Sequence, residues 1–467
     1  MILILNSKFQ IQNSYCMFEL LQIIIKSLGG FLFSLWWLWL PFFLFVLLQD
    51  LWLKYSREKF VQNMKWILLE VRPPKEMKRD PRTMEYVFAG LHGFHHTINF
   101  KERNFLGNVQ EWFSFEIVSL GGEIHFYVRT LEKFRNQVEA QIYAQHPQAE
   151  IFEADDYTQF VPQDIPNKDY DLWGTDMILT KDDAYPIRTY PVFRKDTLVL
   201  EEAIDPIASL AEVLSKLQSG EQVWVQTLCK PIIEEKWEKK AEMVKNKLIG
   251  RKIERKPSLI EEEIVGLAQA SKDKTEQFFT GKYPEEKKDE KKPTPAFITL
   301  LSQSEKDVVT AVEQKKAKIY YETVIRFLYL GRKEVFDKNY ASAIVGNYKQ
   351  FSTQDINGIK PNSKTMTRIA YKIQLKESRE FYRKKKILAQ YKKRYFPIYS
   401  PIMAHFQPFL YERLPILNRF FLKTKPFVFN IEELASVYHY PGEMVKAPTL
   451  PRVEAKKSEP PMGLPVG

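Results

Sequence analysis

From Phe31 to Leu48 the chain is an almost unbroken run of apolar and aromatic residues, and no charge falls between Lys26 and Asp50. About 20 residues of helix, rising about 1.5 Å each, span a hydrocarbon core of about 30 Å. The run therefore predicts one transmembrane helix within an anchor segment, residues 1–60. Trp36, Trp37, Trp39 and Trp52 add an aromatic element, and Pro41 predicts a kink. A cleaved signal peptide would have a shorter apolar region followed by small residues. Here Gln49-Asp50-Leu51-Trp52-Leu53-Lys54 follows instead. Lys8 and Lys26 precede the run, whereas Lys54, Arg57, Lys59, Lys65, Arg72, Lys75, Lys78 and Arg79 follow it. That bias predicts a single-pass protein of the cell membrane with its C-terminal part cytoplasmic.

Period-two alternation takes over further on. Phe113, Phe115 and Ile117 alternate with Ser114 and Glu116, Gly121-Gly122 supplies a turn, and Ile124, Phe126 and Val128 resume the pattern. A helix follows, with Thr130 as its expected N-cap and Leu131, Phe134, Val138 and Ile142 on one face. Pro147 stops it, and Ala149–Glu153 reads as a short strand. Leu172–Leu179 and Tyr185–Tyr190 predict strands around Asp182-Asp183, Asp205-Pro206 opens a helix ended by Gly220, and Val223–Leu228 is a strand.

Glu234–Arg255 reads as a charged helix, and Ser271–Pro295 has little to bury. Beyond it, Ser304-Glu305-Lys306-Asp307 signals a helix start, Ile319–Leu330 is the strongest strand pattern, and a helix is expected from about Lys333 to Tyr348. More strand and a basic helix follow Pro361, and six prolines after Tyr440 predict an extended tail. The fold class is thus α+β: an N-terminal transmembrane helix followed by two ferredoxin-like α/β sandwich units. The expected boundaries are a first domain at 80–231, a charged helix and flexible linker at 232–295, a second domain at 296–425 and the tail at 426–467.

Composition narrows the chemistry. Two cysteines, Cys16 and Cys229, build neither a disulfide framework nor a cysteine zinc site, which suits a reducing compartment. The net charge of +11 favours anionic partners without choosing between lipid and nucleic acid. No phosphate-binding loop occurs: Gly281-Lys282 is followed by Tyr283, and Glu276 stands where the first glycine belongs. His92, His95 and His96 include one helical-turn spacing but no matching carboxylate, so they read as a polar patch, with metal binding the lesser alternative. Between Phe381 and Phe396 lie Arg383, Lys384, Lys385, Lys386, Lys392, Lys393 and Arg394, with Tyr382, Tyr391 and Tyr395 interleaved. The basic side chains suit phosphates while the tyrosines stack on bases. They equally suit an anionic leaflet, or a solvated helix face with no ligand.

Several strings resemble the N-terminal region of bacterial membrane-anchored conjugation-type ATPases, the TraG- and HerA-like proteins of type IV secretion. They are Gln110-Glu111-Trp112-Phe113-Ser114, Gly121-Gly122-Glu123-Ile124-His125-Phe126, Gln141-Ile142-Tyr143-Ala144-Gln145-His146-Pro147, Val324–Leu330 with Glu334-Val335-Phe336, and Glu432-Glu433-Leu434-Ala435 with His439-Tyr440-Pro441-Gly442. The resemblance covers most of positions 80–455. It implies a P-loop motor after the proline-rich segment, where this sequence stops. The expectation is therefore a non-enzymatic assembly module, without cofactor or metal, joined to a P-loop ATPase subunit or domain. A homo-oligomer, a membrane and DNA are the other expected partners. The alternative is a membrane-tethered nucleic-acid-binding protein acting through 381–396.

Overall fold

Strong alternation in the middle of the chain and an apolar run at its start give two kinds of structure, and they fall in separate compact units. The computed structural model describes residues 30, 34, 36–74, 80–195, 205–233, 235–249, 301–369, 376–397 and 424–442. One unit comprises Met1–Lys65, Thr97–Val109 and Ile398–Phe421, and the other comprises the rest.

In the first unit α1, Trp36–Gln62, runs for 27 residues with Pro41 inside it. Among the described residues no helix is long and apolar enough to cross a membrane. Phe31, Leu32, Phe33 and Leu35, which open the predicted span, lie outside the described residues. A π-helical turn, Glu102–Leu106, packs on α1. Gly107 ends that turn with φ +73°, and a Cβ there would come within 2.6 Å of the Ser56 carbonyl carbon. Glycine is needed on both counts.

The second unit is α+β. Its first part runs β1 (Trp66–Arg72), α2 (Arg82–His92), β2 (Phe113–Leu120), β3 (Glu123–Leu131), α3 (Arg135–Gln145) and β4 (Glu150–Glu153). These strands lie in the order β4-β1-β3-β2, every neighbour antiparallel. Then come β5 (Tyr170–Leu179), α4 (Tyr190–Lys195), α5 (Ala208–Ser215), β6 (Glu221–Pro231), α6 (Glu235–Leu248), α7 (Gln303–Lys316), β7 (Tyr320–Arg332), α8 (Lys338–Lys349) and β8 (Ile359–Pro361). Their order is β6-β7-β5-β8, the same arrangement in mirror sequence. Pairing of β2 with β6, from Phe113↔Cys229 to Leu120↔Gln222, joins the copies edge to edge. After α9 (Lys376–Lys392), β9 (Phe427–Asn430) adds to the Tyr320 end of β7 and leads into α10 (Ile431–Val437).

This topology moves the predicted boundaries. The first copy opens at Trp66 rather than residue 80, and β5 and β6 belong with β7 and β8. The charged stretch after residue 231 does not separate two domains. It interrupts a hairpin, because all eleven residues of β6 pair with β7. High charge reports solvation, and an insertion at a hairpin tip is as solvated as a linker. Most of that linker, 250–300, lies outside the described residues, as does the tail after Gly442. The tail's expected start at 426 is instead packed strand and helix. Asn430 and Glu433 cap α10 reciprocally, and Glu433 meets Lys315 in the interior.

Local differences have equally local causes. Tyr185–Tyr190 is not a strand, because the Asp182 carboxylate accepts from the Ala184 N–H and the Glu433 carboxylate accepts from that of Ile187. Thr130 lies within β3, and α3 begins only after a 3-10 turn at Glu132–Phe134. The N-cap of α7 is Ser302, bonded reciprocally with Glu305, and Asp337 delays α8 to Lys338. Beyond Pro361 the only further described strand is β9.

One face of the sheet carries Phe113, Phe115, Ile117, Phe126, Val128, Val225 and Phe327 against α2, α3, α5, α8 and α10. Each such side chain, fully buried, contributes about 1.5–3 kcal/mol. The opposite face carries Val118, Tyr127, Trp224, Leu328 and Leu330, covered by Tyr157, Val161 and Ile165 and by Ile387, Leu388 and Tyr391 of α9. Gly174 lets α9 come close: a Cβ there would lie 2.3 Å from Leu328 Cδ2 and 3.5 Å from Ile387 Cδ1.

Candidate functional site

The basic stretch singled out in the sequence forms α9 and the turn after it. Ile387, Leu388 and Tyr391, spaced i, i+1 and i+4, share one side of the helix and face the sheet. The basic residues therefore divide between the sheet and the solvent.

Arg394 goes inward. It adopts φ +46°, a left-handed conformation that closes the helix C-terminus where glycine is usual. Its side chain is fully buried. Nε donates to Glu116 Oε1 at 3.0 Å and Nη2 to Glu116 Oε2 at 3.1 Å, while Nη2 also donates to Asp156 Oδ1 at 3.0 Å and Nη1 bonds Asp156 Oδ2. Glu116 accepts further from Ser114, Tyr157 and Gln226. Burial pushes the Glu116 pKa up, but the Arg394 charge and these bonds outweigh it and hold it below the ordinary value. Arg129 is pushed down to about 10, first by burial and then by Arg394. The candidate phosphate contact at Arg394 is thus corrected: its donors are committed inside the protein.

The sequence offered little warning. Ser114 and Glu116 occupy the polar phase of β2, which reads as a solvent face. The available signal was register: Glu116 stands opposite Gln226, so two polar positions meet at the middle of the sheet.

The other basic residues have mixed fates. Arg383 donates to the Ser363 and Met366 carbonyls, and Lys384 pairs with Asp171. Lys392 donates to the Val161 carbonyl and to Gln163. Lys385 lies over the Phe381 ring and Lys386 over that of Tyr382. Burial lowers the pKa of Arg383, Lys386 and Lys392. Lys385 and Lys393 are exposed. Of the interleaved tyrosines, Tyr391 is buried and bonded to Tyr157, and Tyr382 is exposed.

A cleft of about 230 Å³ opens beside α9, lined by Trp173, Phe336, Lys338, Thr367, Arg368, Lys376, Glu380 and Lys384, with Asp171 and Leu172. Four basic side chains thus gather with two aromatic rings. Both acidic lining residues are engaged, Asp171 by Lys384 and Glu380 by the Ile369 N–H. Lys338, Arg368 and Trp173 lie 30 or more residues apart in sequence, so no linear motif announces the cleft.

The histidines do not converge. His92 Nε2 lies 3.1 Å from the Ile232 carbonyl, His95 stacks on His92, and His96 pairs with Glu111 at 3.0 Å. Burial lowers the pKa of His92 and His95, and neighbouring histidines lower that of His95 further. Among the described residues no group of three His, Cys, Asp or Glu side chains is placed to hold a metal. Of the other buried ion pairs, Lys315–Glu433 joins α7 to α10 and Arg326–Asp176 joins β7 to β5.

A family model described as a domain of unknown function, DUF8128, matches residues 53–450. Comparison with curated proteins gives no match.

Proposed function

The chain belongs to the DUF8128 family, and we propose that it is the membrane-anchoring and assembly module of a type IV secretion- or conjugation-like translocation system. In this reading it has no ATPase activity of its own, assembles as a homo-oligomer and joins a P-loop motor subunit. The observation that carries the anchor is the surface of α1. Trp37, Phe45 and Leu48 are each at least 60% exposed, and Leu44, Leu51 and Trp52 are exposed with them. Apolar groups of that size favour lipid over water. The basic residues from Lys54 onward support a single crossing with the scaffold on the cytoplasmic side of the cell membrane. The twice-repeated strand order 4-1-3-2 supports two ferredoxin-like units fused at an edge. A continuous antiparallel sheet with helices packed on it, in a sequence without a phosphate-binding loop, suits assembly better than catalysis.

The test is extraction of the full chain in mild detergent from its own cells. Recovery with membranes and with a P-loop ATPase is expected. Recovery without any such ATPase, while other membrane complexes stay intact, removes the translocation reading.

The cleft beside α9 favours a second reading, a membrane-tethered protein that binds nucleic acid. Lys338, Arg368 and Lys376 suit phosphates, and the half-buried rings of Trp173 and Phe336 line the same cleft, where a base would meet them.

A further inference from the structure

We propose that the segment from Phe100 to Leu106 inserts into the membrane–water interface as a second lipid contact beside α1. Phe100, Phe105 and Leu106 are 77%, 61% and 57% exposed, three large apolar side chains within seven residues. Lys101 and Arg103 lie between Phe100 and Phe105, on either side of Glu102, and are exposed too. Rings reaching acyl chains while Lys and Arg stems reach headgroups is the chemistry of an interfacial segment, and it selects anionic phospholipid.

Its level on α1 fits. Gly107 rests on the backbone of Ser56 and Arg57. There α1 passes from Leu51-Trp52-Leu53 to Lys54, Arg57, Glu58 and Lys59. Ser56 is four residues past the exposed Trp52, about 6 Å along the axis, and a tryptophan at the end of a crossing segment marks the headgroup level. The π-helical turn widens the backbone and presents Phe105 and Leu106 together. A lone crossing helix is free to slide and rotate, and a second contact at the border fixes both. Interfacial insertion presupposes that α1 is the anchor.

Nitroxide labels on the full chain separate the two. The chain carries Cys16→Ser, while Cys229 is buried with its thiol pKa pushed up by burial and does not react. One label replaces Phe105 (Phe105→Cys) and a second, in a parallel sample, replaces Phe45 (Phe45→Cys). Both samples are reconstituted in vesicles of phosphatidylcholine and phosphatidylglycerol. The expected result is a label at 105 that collides with oxygen in preference to a water-soluble nickel chelate, at a shallower depth than the label at 45. A label at 105 open to nickel, with 45 in hydrocarbon, overturns the interfacial segment and leaves the anchor. Shielding of 105 from both collision partners means that protein covers it, which also overturns it. Nickel access at position 45 ends both readings. A further Lys101→Glu/Arg103→Glu change is expected to move the 105 label toward water.

Discussion

Arg394 and Glu116, 278 positions apart, meet as a two-point ion pair in the interior, with both side chains fully buried. The Arg394 carbonyl also accepts from Trp112 Nε1 at 3.1 Å, so backbone and side chain hold the end of α9 to the sheet. The geometry accounts for arginine in a left-handed position that glycine usually takes. The pair offsets a backbone cost of the order of 1–3 kcal/mol.

Breaking that pair from one side strands a carboxylate. Arg394→Met is expected to lose about 3–5 kcal/mol, because Glu116 then stays buried without its cation. The double change Arg394→Met/Glu116→Gln is expected to recover a large share, since the fully buried carboxylate is gone and the other carboxylate that loses its cation, Asp156, reaches solvent. Urea unfolding of the unaltered protein and the two variants measures this. Equal losses for the single and the double change would mean that the pair is not what holds α9.

Acid is expected to weaken the same junction. Burial raises the Glu116 pKa, Arg394 more than reverses it, and the net shift is below the ordinary 4.5. Asp156 is likewise held below its ordinary 3.8: burial raises it, and the bonds and charge of Arg394 lower it further. A carboxylate with a depressed folded pKa gives stability that is present above the unfolded pKa and is lost as pH falls through the folded one. Stability should therefore decline below about pH 4.5, and Glu116→Gln should flatten that decline. Unfolding midpoints across the acid range check the slope.

The second buried pair has the opposite sign. Burial raises the Glu433 pKa above 4.5, and Lys315, with the N–H groups of Asn430 and Ile187, compensates only in part. A raised folded pKa gives a contribution that is full below the unfolded pKa and is lost as pH rises through the folded one. Lys315→Met removes the compensating charge and leaves Glu433 fully buried. Its penalty, about 3–5 kcal/mol near neutrality, is expected to shrink in acid, where Glu433 takes up a proton. A penalty independent of pH would place the effect in lost packing.

How far the fold was legible depended on sequence distance. The β2–β3 hairpin was plain, because Gly121 and Gly122, at φ +60° and +100°, sit between two alternating runs. The second copy has the same hairpin, β6–β7, but α6, α7 and the charged stretch between them separate its strands, so the repeat was hidden. The α+β class was legible, and the boundaries along the chain were not. At the site, charge was legible and its direction was not. Nothing in Lys392-Lys393-Arg394 says that the second residue faces water and the third enters the core. The left-handed turn decides that, and it depends on Glu116, which only the sheet brings near. The cleft was illegible for the same reason, since its rings and its cations come from separate elements.

That cleft yields the prediction that discriminates best between the functional readings. If nucleic acid binds there, Lys338, Arg368 and Lys376 neutralise phosphates, and each contributes about one unit to the slope of log affinity against log salt. Lys338→Gln/Arg368→Gln/Lys376→Gln is then expected to weaken binding of single-stranded DNA for all sequences alike and to flatten the salt dependence. Trp173→Ala should weaken binding with the slope unchanged, because stacking releases no counterions. Fluorescence anisotropy with a labelled oligonucleotide, read over a salt series, separates the two. Changes at Lys385 and Lys393, exposed on α9 and not among the cleft's lining residues, serve as the comparison. If they alone flatten the slope, the contact is a diffuse charged helix and not the cleft. If neither set does, the nucleic-acid reading falls.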